Sequence, residues 1–73
     1  MEFQLKSEFI ELDNLLKALN LVASGAAAKQ SILSGEVKVN GQVESRIRRK
    51  LRGQDGVEFQ GQLIEIKAPD NKL

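Results

Sequence analysis

"SGAAAKQSILSGEVKVNGQV", residues 24–43, holds the end of one periodicity and the start of another within twenty letters. Ser24 is placed to cap a helix, because its hydroxyl can accept from the free amides that open the next turn. The alanine-rich run that follows predicts a helix over 25–34. Gly35 stands where a helix end calls for the left-handed conformation that glycine adopts most readily. Val37 and Val39 then alternate with Glu36 and Lys38, and Asn40-Gly41 supplies the pair that tolerates two positive φ angles in a tight hairpin turn. Helix, stop, strand and reversal are therefore written in order.

Working outward, Leu12, Leu15, Leu16 and Leu19 follow the i, i+3, i+4, i+7 spacing of an amphipathic helix, with Glu11 and Asp13 at its start where the helix dipole favours negative charge. This predicts a first helix over about 11–20. Ala28 and Ile32, one turn apart, would face it, while Lys29 lies about 100° round the second helix and reaches solvent. Downstream, Val57 and Phe59 are separated from Ile64 and Ile66 by "QGQ", a second hairpin signal centred on Gly61. Upstream, Phe3 and Leu5 give a short, weak strand signal. The expected class is α+β: two packed helices, about 11–20 and 25–34, against a small, mainly antiparallel sheet of three or four short strands. Residues 1–67 would form one domain, and 68–73, with a proline and no apolar periodicity, a flexible C-terminal tail.

A chain of 73 residues has room for one core. Domains this small bury only about 60% of the surface their unfolded chains expose, so nearly every large aliphatic residue is needed inside and few remain to line a small-molecule pocket. There is no cysteine and no histidine. The usual nucleophile, the usual general base and the common zinc ligands are thus missing, which argues against catalysis and against a metal or other cofactor. The first residues mix charge with apolar side chains every two or three positions, so neither a signal peptide nor a membrane span is expected. The reading is a monomeric cytoplasmic protein.

The net charge of +1 conceals a polarised chain. Residues 1–28 hold two cations against four anions, residues 29–52 seven against two, and residues 53–73 two against four. In "RIRRKLR", Arg46, Arg48, Lys50 and Arg52 alternate with Ile47 and Leu51, except that Arg49 interrupts the pattern and is expected in a bend. A strand would separate the cations from the apolar pair by its period of two. A helix would also bring Ile47 and Leu51 together, so periodicity leaves the conformation open while turning the cations outward in both cases. Lys38 would join them if its strand lies alongside, and Lys29 is a further candidate. Cations so crowded repel one another unless an anion is present, which points to a polyanionic partner, nucleic acid foremost. The alternative is an adaptor whose basic face meets an acidic protein. Phe3, Phe9 and Phe59, the only aromatic residues, all fall in patterns that read as core, leaving no stacking platform beside the arginines. Contact with phosphate and sugar of a structured RNA is accordingly expected over reading of unpaired bases.

The run "LDNLLKALNLVASGAAAKQSILSGEVKVNGQV", continued by "LRGQDGVEF", resembles the αL RNA-binding domain of the ribosomal protein S-four type over nearly the whole chain. Leu12-Asp13 match the pair that opens its first helix, Ser24 the serine that starts its second, Ala28-Lys29 a pair within that helix, and Gly35 to Gly41 the "GxVxVNG" strand and turn. The small stand-alone YbcJ-like bacterial members share "SGAxAK", "GxVKV" and "VExRxR" wording with it. The resemblance implies an αL fold that binds structured RNA, with ribosomal RNA one candidate, by the second helix, the following strand and the basic segment. It implies RNA-binding roles for Lys29, Lys38, Arg46, Arg48, Arg49, Lys50 and Arg52, with Ser24 at the helix start a further phosphate contact. Many members carry arginine where this chain has Glu11 and Gly25, so the load would shift to Lys38 and to residues 46–52.

Overall fold

The two helices owe their ends to local chemistry. In the computed structural model, which describes residues 1–69, α1 spans Leu12–Ala18 and α2 Gly25–Leu33. α1 is thus shorter than the expected 11–20. Asn20 adopts φ 57°, its amide bonds the Lys17 carbonyl at 3.0 Å and the Leu21 amide reaches the Leu16 carbonyl at 3.0 Å. This is a Schellman closure built on asparagine. α2 ends the same way on Gly35 at φ 81°, with the Gly35 and Glu36 amides bonded to the carbonyls of Ile32 and Ser31. At its start, Ser24 Oγ accepts from the Ala27 amide at 3.1 Å.

Seven strands follow the chain in two sheets, more than the three or four expected. β1 (Glu2–Gln4), β7 (Gln62–Lys67), β6 (Gly56–Phe59), β3 (Val37–Val39) and β4 (Gln42–Val43) form one sheet in that spatial order. β2 (Ile10–Glu11) and β5 (Lys50–Leu51) pair antiparallel as a separate ribbon. The sheet is antiparallel except at its edge, where β1 lies parallel to β7 with Glu2 opposite Glu65. Asn40-Gly41 (φ 53° and 84°) and Gln60-Gly61 (φ 53° and 77°) make the two hairpin turns, each with both central residues at positive φ. A side-chain clasp joins the hairpins: Asn40 Nδ2 donates to Asp55 at 2.9 Å and the Gly56 amide donates to Asn40 Oδ1 at 2.8 Å.

Alternation then sorts the sheet's two faces. Val37, Val39, Val57, Phe59, Ile64 and Ile66 are buried with Leu12, Leu15 and Leu16 of α1 and Ala28 and Ile32 of α2 in one core, to which Leu5 and Leu51 add. Lys38, Val43, Glu58 and Leu63 are exposed on the opposite face. Of the tail expected at 68–73, residues 70–73 lie outside the described residues, while the Ala68 carbonyl accepts from the Gln4 side chain. Among the described residues no helix is long and apolar enough to cross a membrane.

Candidate nucleic-acid interface

After β4 the chain continues its ladder by one residue, the Glu44 amide bonding the Val37 carbonyl at 3.0 Å. This turns the Glu44 side chain inward, and the residue is only 7% exposed. A buried carboxylate requires compensation by donors. Arg46 supplies its amide, Nε and one Nη, each at 3.0 Å, and Arg49 supplies Nη1 at 2.8 Å. The hydrogen bonds from the Arg46 side chain hold the Glu44 carboxyl at about 2, well below its ordinary 4.5; burial opposes them and Arg49 reinforces them.

The turn between these arginines is closed by the Arg49 amide on the Arg46 carbonyl at 3.3 Å. Its remaining carbonyls do a second job. The first amides of a helix lack intrahelical partners, and at α1 the Leu12 amide bonds the Arg49 carbonyl at 2.8 Å and the Asp13 amide the Ile47 carbonyl at 3.1 Å. Ile47 packs on the core. The basic turn is thus fixed from beneath by Glu44 and from the side by the start of α1. The segment whose conformation the sequence left open is a turn at Arg46–Arg49 followed by the short strand β5; the bend expected at Arg49 falls on Ile47 and Arg48, and Arg49 closes the turn through its amide.

Arg48 links two shallow depressions, one lined with Asp13, Gly25, Ala26, Lys29 and Ile47, the other with Arg46, Arg49 and Lys50. The structure therefore brings together Lys29, Arg46, Arg48, Arg49 and Lys50. In β5, Leu51 enters the core, while Lys50 and Arg52 stand over the Phe9 ring, with Lys50 Nζ 4.8 Å and Arg52 Cζ 5.6 Å from its centroid. Ser24 sits at the start of α2 as its cap. Lys38 is placed apart, opposite Glu58 in the sheet register and in a groove with Glu36 and Glu58 that none of the arginines lines. Among the described residues, the ion-paired cations are Arg46, Arg49 and Lys67; Lys29, Arg48, Lys50 and Arg52 make no ion pair.

Three residues escape the sequence reading. Glu44 gives a weak signal in retrospect, an acid two and five residues before arginines that would otherwise repel. Lys17, in the last turn of α1, carries its Nζ to 3.7 Å from where a side chain at Gly25 would begin, at the head of α2. Phe9 is the correction with the largest consequence. Phe59 is buried and Phe3 packs on the core, but Phe9 is half-buried outside it and lies under two cations. Ile10, its neighbour on the ribbon, takes the inward position, which turns the adjacent side chain away. An aromatic ring does stand beside the basic residues, so the ground for discounting base stacking is removed.

Comparison with known proteins agrees with this arrangement. A family model described as S4 domain matches residues 3–67. A protein of Escherichia coli strain K12 named putative RNA-binding protein YbcJ is 41% identical over 63 residues, covering 86% of this chain and 90% of its own. An uncharacterized YbcJ of Shigella flexneri matches to the same extent. The solution structure of the E. coli YbcJ, reported to reveal an αL motif involved in RNA binding, superposes with a TM-score of 0.69 at 41% identity, covering 92% of this chain and 86% of that one. The two helices and mixed sheet seen here are the same α+β fold.

Proposed function

We propose, since the chain belongs to the S4 domain family, that it is a non-catalytic cytoplasmic protein that binds structured RNA as a monomer, with ribosomal RNA a candidate target. Phosphate and sugar would be gripped by Lys29, Arg48, Lys50 and Arg52, and by the outward donors of Arg46 and Arg49. The observation that carries this reading is the continuity of the basic surface: Arg48 is shared by two depressions that together include Lys29 and Lys50, with Asp13 the one carboxylate lining either, and none of these three makes an ion pair among the described residues. Such a surface lowers the free energy of a bound polyanion through release of condensed counterions. The 41% identity to a protein named as RNA-binding supports RNA as that polyanion.

Binding of a base-paired RNA hairpin, followed by fluorescence anisotropy over a salt series, tests this. Four or five phosphate contacts give a slope of roughly −3 to −5 in log affinity against log salt. The Arg48→Gln substitution should weaken binding and reduce the slope by about one, whereas Lys38→Gln, on the outer sheet face, should change it by less than half as much. A slope near zero, or equal effects of the two substitutions, would contradict the assigned face. Association with an acidic protein that survives ribonuclease would favour the adaptor reading instead.

A further inference from the structure

We infer that Phe9, Lys50 and Arg52 form a subsite for one unpaired nucleotide, whose base stacks on the Phe9 ring and whose phosphate lies on the two cations. The inference rests on the RNA-binding reading above and extends it from backbone contact to a preference for RNA carrying an unpaired base. Three observations converge.

The first is the ring's position. In a domain of 73 residues with three aromatic side chains, burial of each ring contributes heavily to the core, yet Phe9 is left half-buried outside it. The second is preorganisation. The Phe9 carbonyl accepts from Ser7 Oγ at 3.1 Å, and the next residue, Ile10, is paired with Leu51 across the β2–β5 ribbon. The ring therefore projects from the residue immediately before the ribbon, and the same ribbon sets Lys50 opposite Glu11 while Lys50 and Arg52 stand over the ring.

The third is continuity. Lys50 both stands over Phe9 and lines the depression with Arg46, Arg48 and Arg49. A duplex gripped there would present its neighbouring nucleotide to the ring. In the unbound protein the electron-rich ring face attracts the cations. A nucleotide offers a better match to the whole group, because its base supplies a π surface to the ring while its phosphate accepts from the ammonium and guanidinium. A fully paired duplex can offer only the phosphate. The chemistry thus selects a bulged or terminal nucleotide, with little dependence on which base it carries, since every base has a stacking face.

The test uses three RNA duplexes: one blunt, one with a single bulged adenosine, and one in which the bulged residue is an abasic ribose. Wild-type protein should bind the adenosine bulge about tenfold or more tighter than either of the others. Phe9→Leu should bring the three affinities within about twofold of one another, and Phe9→Tyr should retain the preference. The chain has no tryptophan, so Phe9→Trp gives a single-site reporter whose fluorescence should be quenched by the adenosine bulge and not by the abasic one. Equal wild-type affinity for all three duplexes, or a preference that persists in Phe9→Leu, would overturn the subsite and leave the RNA-binding reading standing. Failure to bind any of them would overturn both.

Discussion

Replacing Glu44 by glutamine removes the negative charge from a side chain that accepts four hydrogen bonds, three from Arg46 and one from Arg49. Its carboxyl is held at about 2 against an ordinary 4.5, a difference that corresponds to about 3 kcal/mol of folding stability at neutral pH. The larger contribution comes from Arg46, whose side chain is 71% exposed and so interacts through screening solvent, which reduces the expected loss to about 2 kcal/mol. The glutamine carbonyl can keep one or two of the bonds, but its amide group would face guanidinium donors. For a domain of this size the change lowers the Tm by on the order of 10 °C. Urea unfolding followed by far-UV circular dichroism measures it directly. Because the native carboxyl binds its proton less readily than the unfolded one, the wild-type advantage is fully present above about pH 4.5. It shrinks as the pH falls towards about 2. A difference below about 0.5 kcal/mol at pH 7, or one that stays constant between pH 5 and pH 2.5, would refute the argument that this carboxylate anchors the basic turn.

Two further substitutions test the frame that holds the site. A Cβ added at Gly53 would stand 2.7 Å from Ala68 Cβ and 2.9 Å from Ala68 Cα, so Gly53→Ala should cost about 1–3 kcal/mol in urea unfolding; a neutral result would mean that the chain near Ala68 is not held against this loop. Asn40→Ala should lose the two hydrogen bonds of the hairpin clasp and strain a residue at φ 53°, for about 2–3 kcal/mol, whereas Asn40→Gly should lose only the bonds and fall about 1 kcal/mol short of that. Equal losses would show that the backbone conformation contributes nothing there.

What could be read from the letters alone was what local chemistry decides. Ser24 and Gly35 bound α2 because capping and left-handed closure act within a few residues. Asn40-Gly41 marked its hairpin for the same reason. The parallel pairing of Glu2–Gln4 with β7 was not legible, since its partners are about sixty residues apart and three residues carry too short a period to register. The β2–β5 ribbon is shorter still. The 46–52 segment was ambiguous because Ile47 and Leu51, four apart, satisfy both a helical and an extended pattern. The structure follows neither pattern throughout: Arg46–Arg49 is a turn whose Ile47 and Arg49 carbonyls are taken by the amides at the start of α1, and only Lys50–Leu51 is extended. Phe9 was misread because alternation says which residues share a face and not whether that face meets the core. Lys38 was expected to join the arginines if its strand lay alongside theirs, a condition that alternation within one strand cannot decide, and the register sets it opposite Glu58 while β5 belongs to the separate ribbon.

The presence of Glu44 in the middle of the cations bears on whether the basic face is a binding surface or a self-neutralised one. A guanidinium has five donors in a fixed plane. Arg46 uses Nε and one Nη toward the side chain below it, and Arg49 uses one Nη, so both retain donors for an outside acceptor. Arg46 remains 71% exposed despite the pair, and the carboxylate side chain beneath is 9% exposed. An approaching polyanion therefore meets guanidinium edges and not the carboxylate. The ion pair sets the planes of the arginines before a ligand arrives, which lowers the ordering cost on binding, and it reduces the repulsion that six neighbouring cations would otherwise impose on a marginal domain. Lysines in the same two positions would neutralise Glu44 equally well, but as rotating point charges they would leave no oriented donors behind. The arrangement requires arginine, and it requires an acid to hold it.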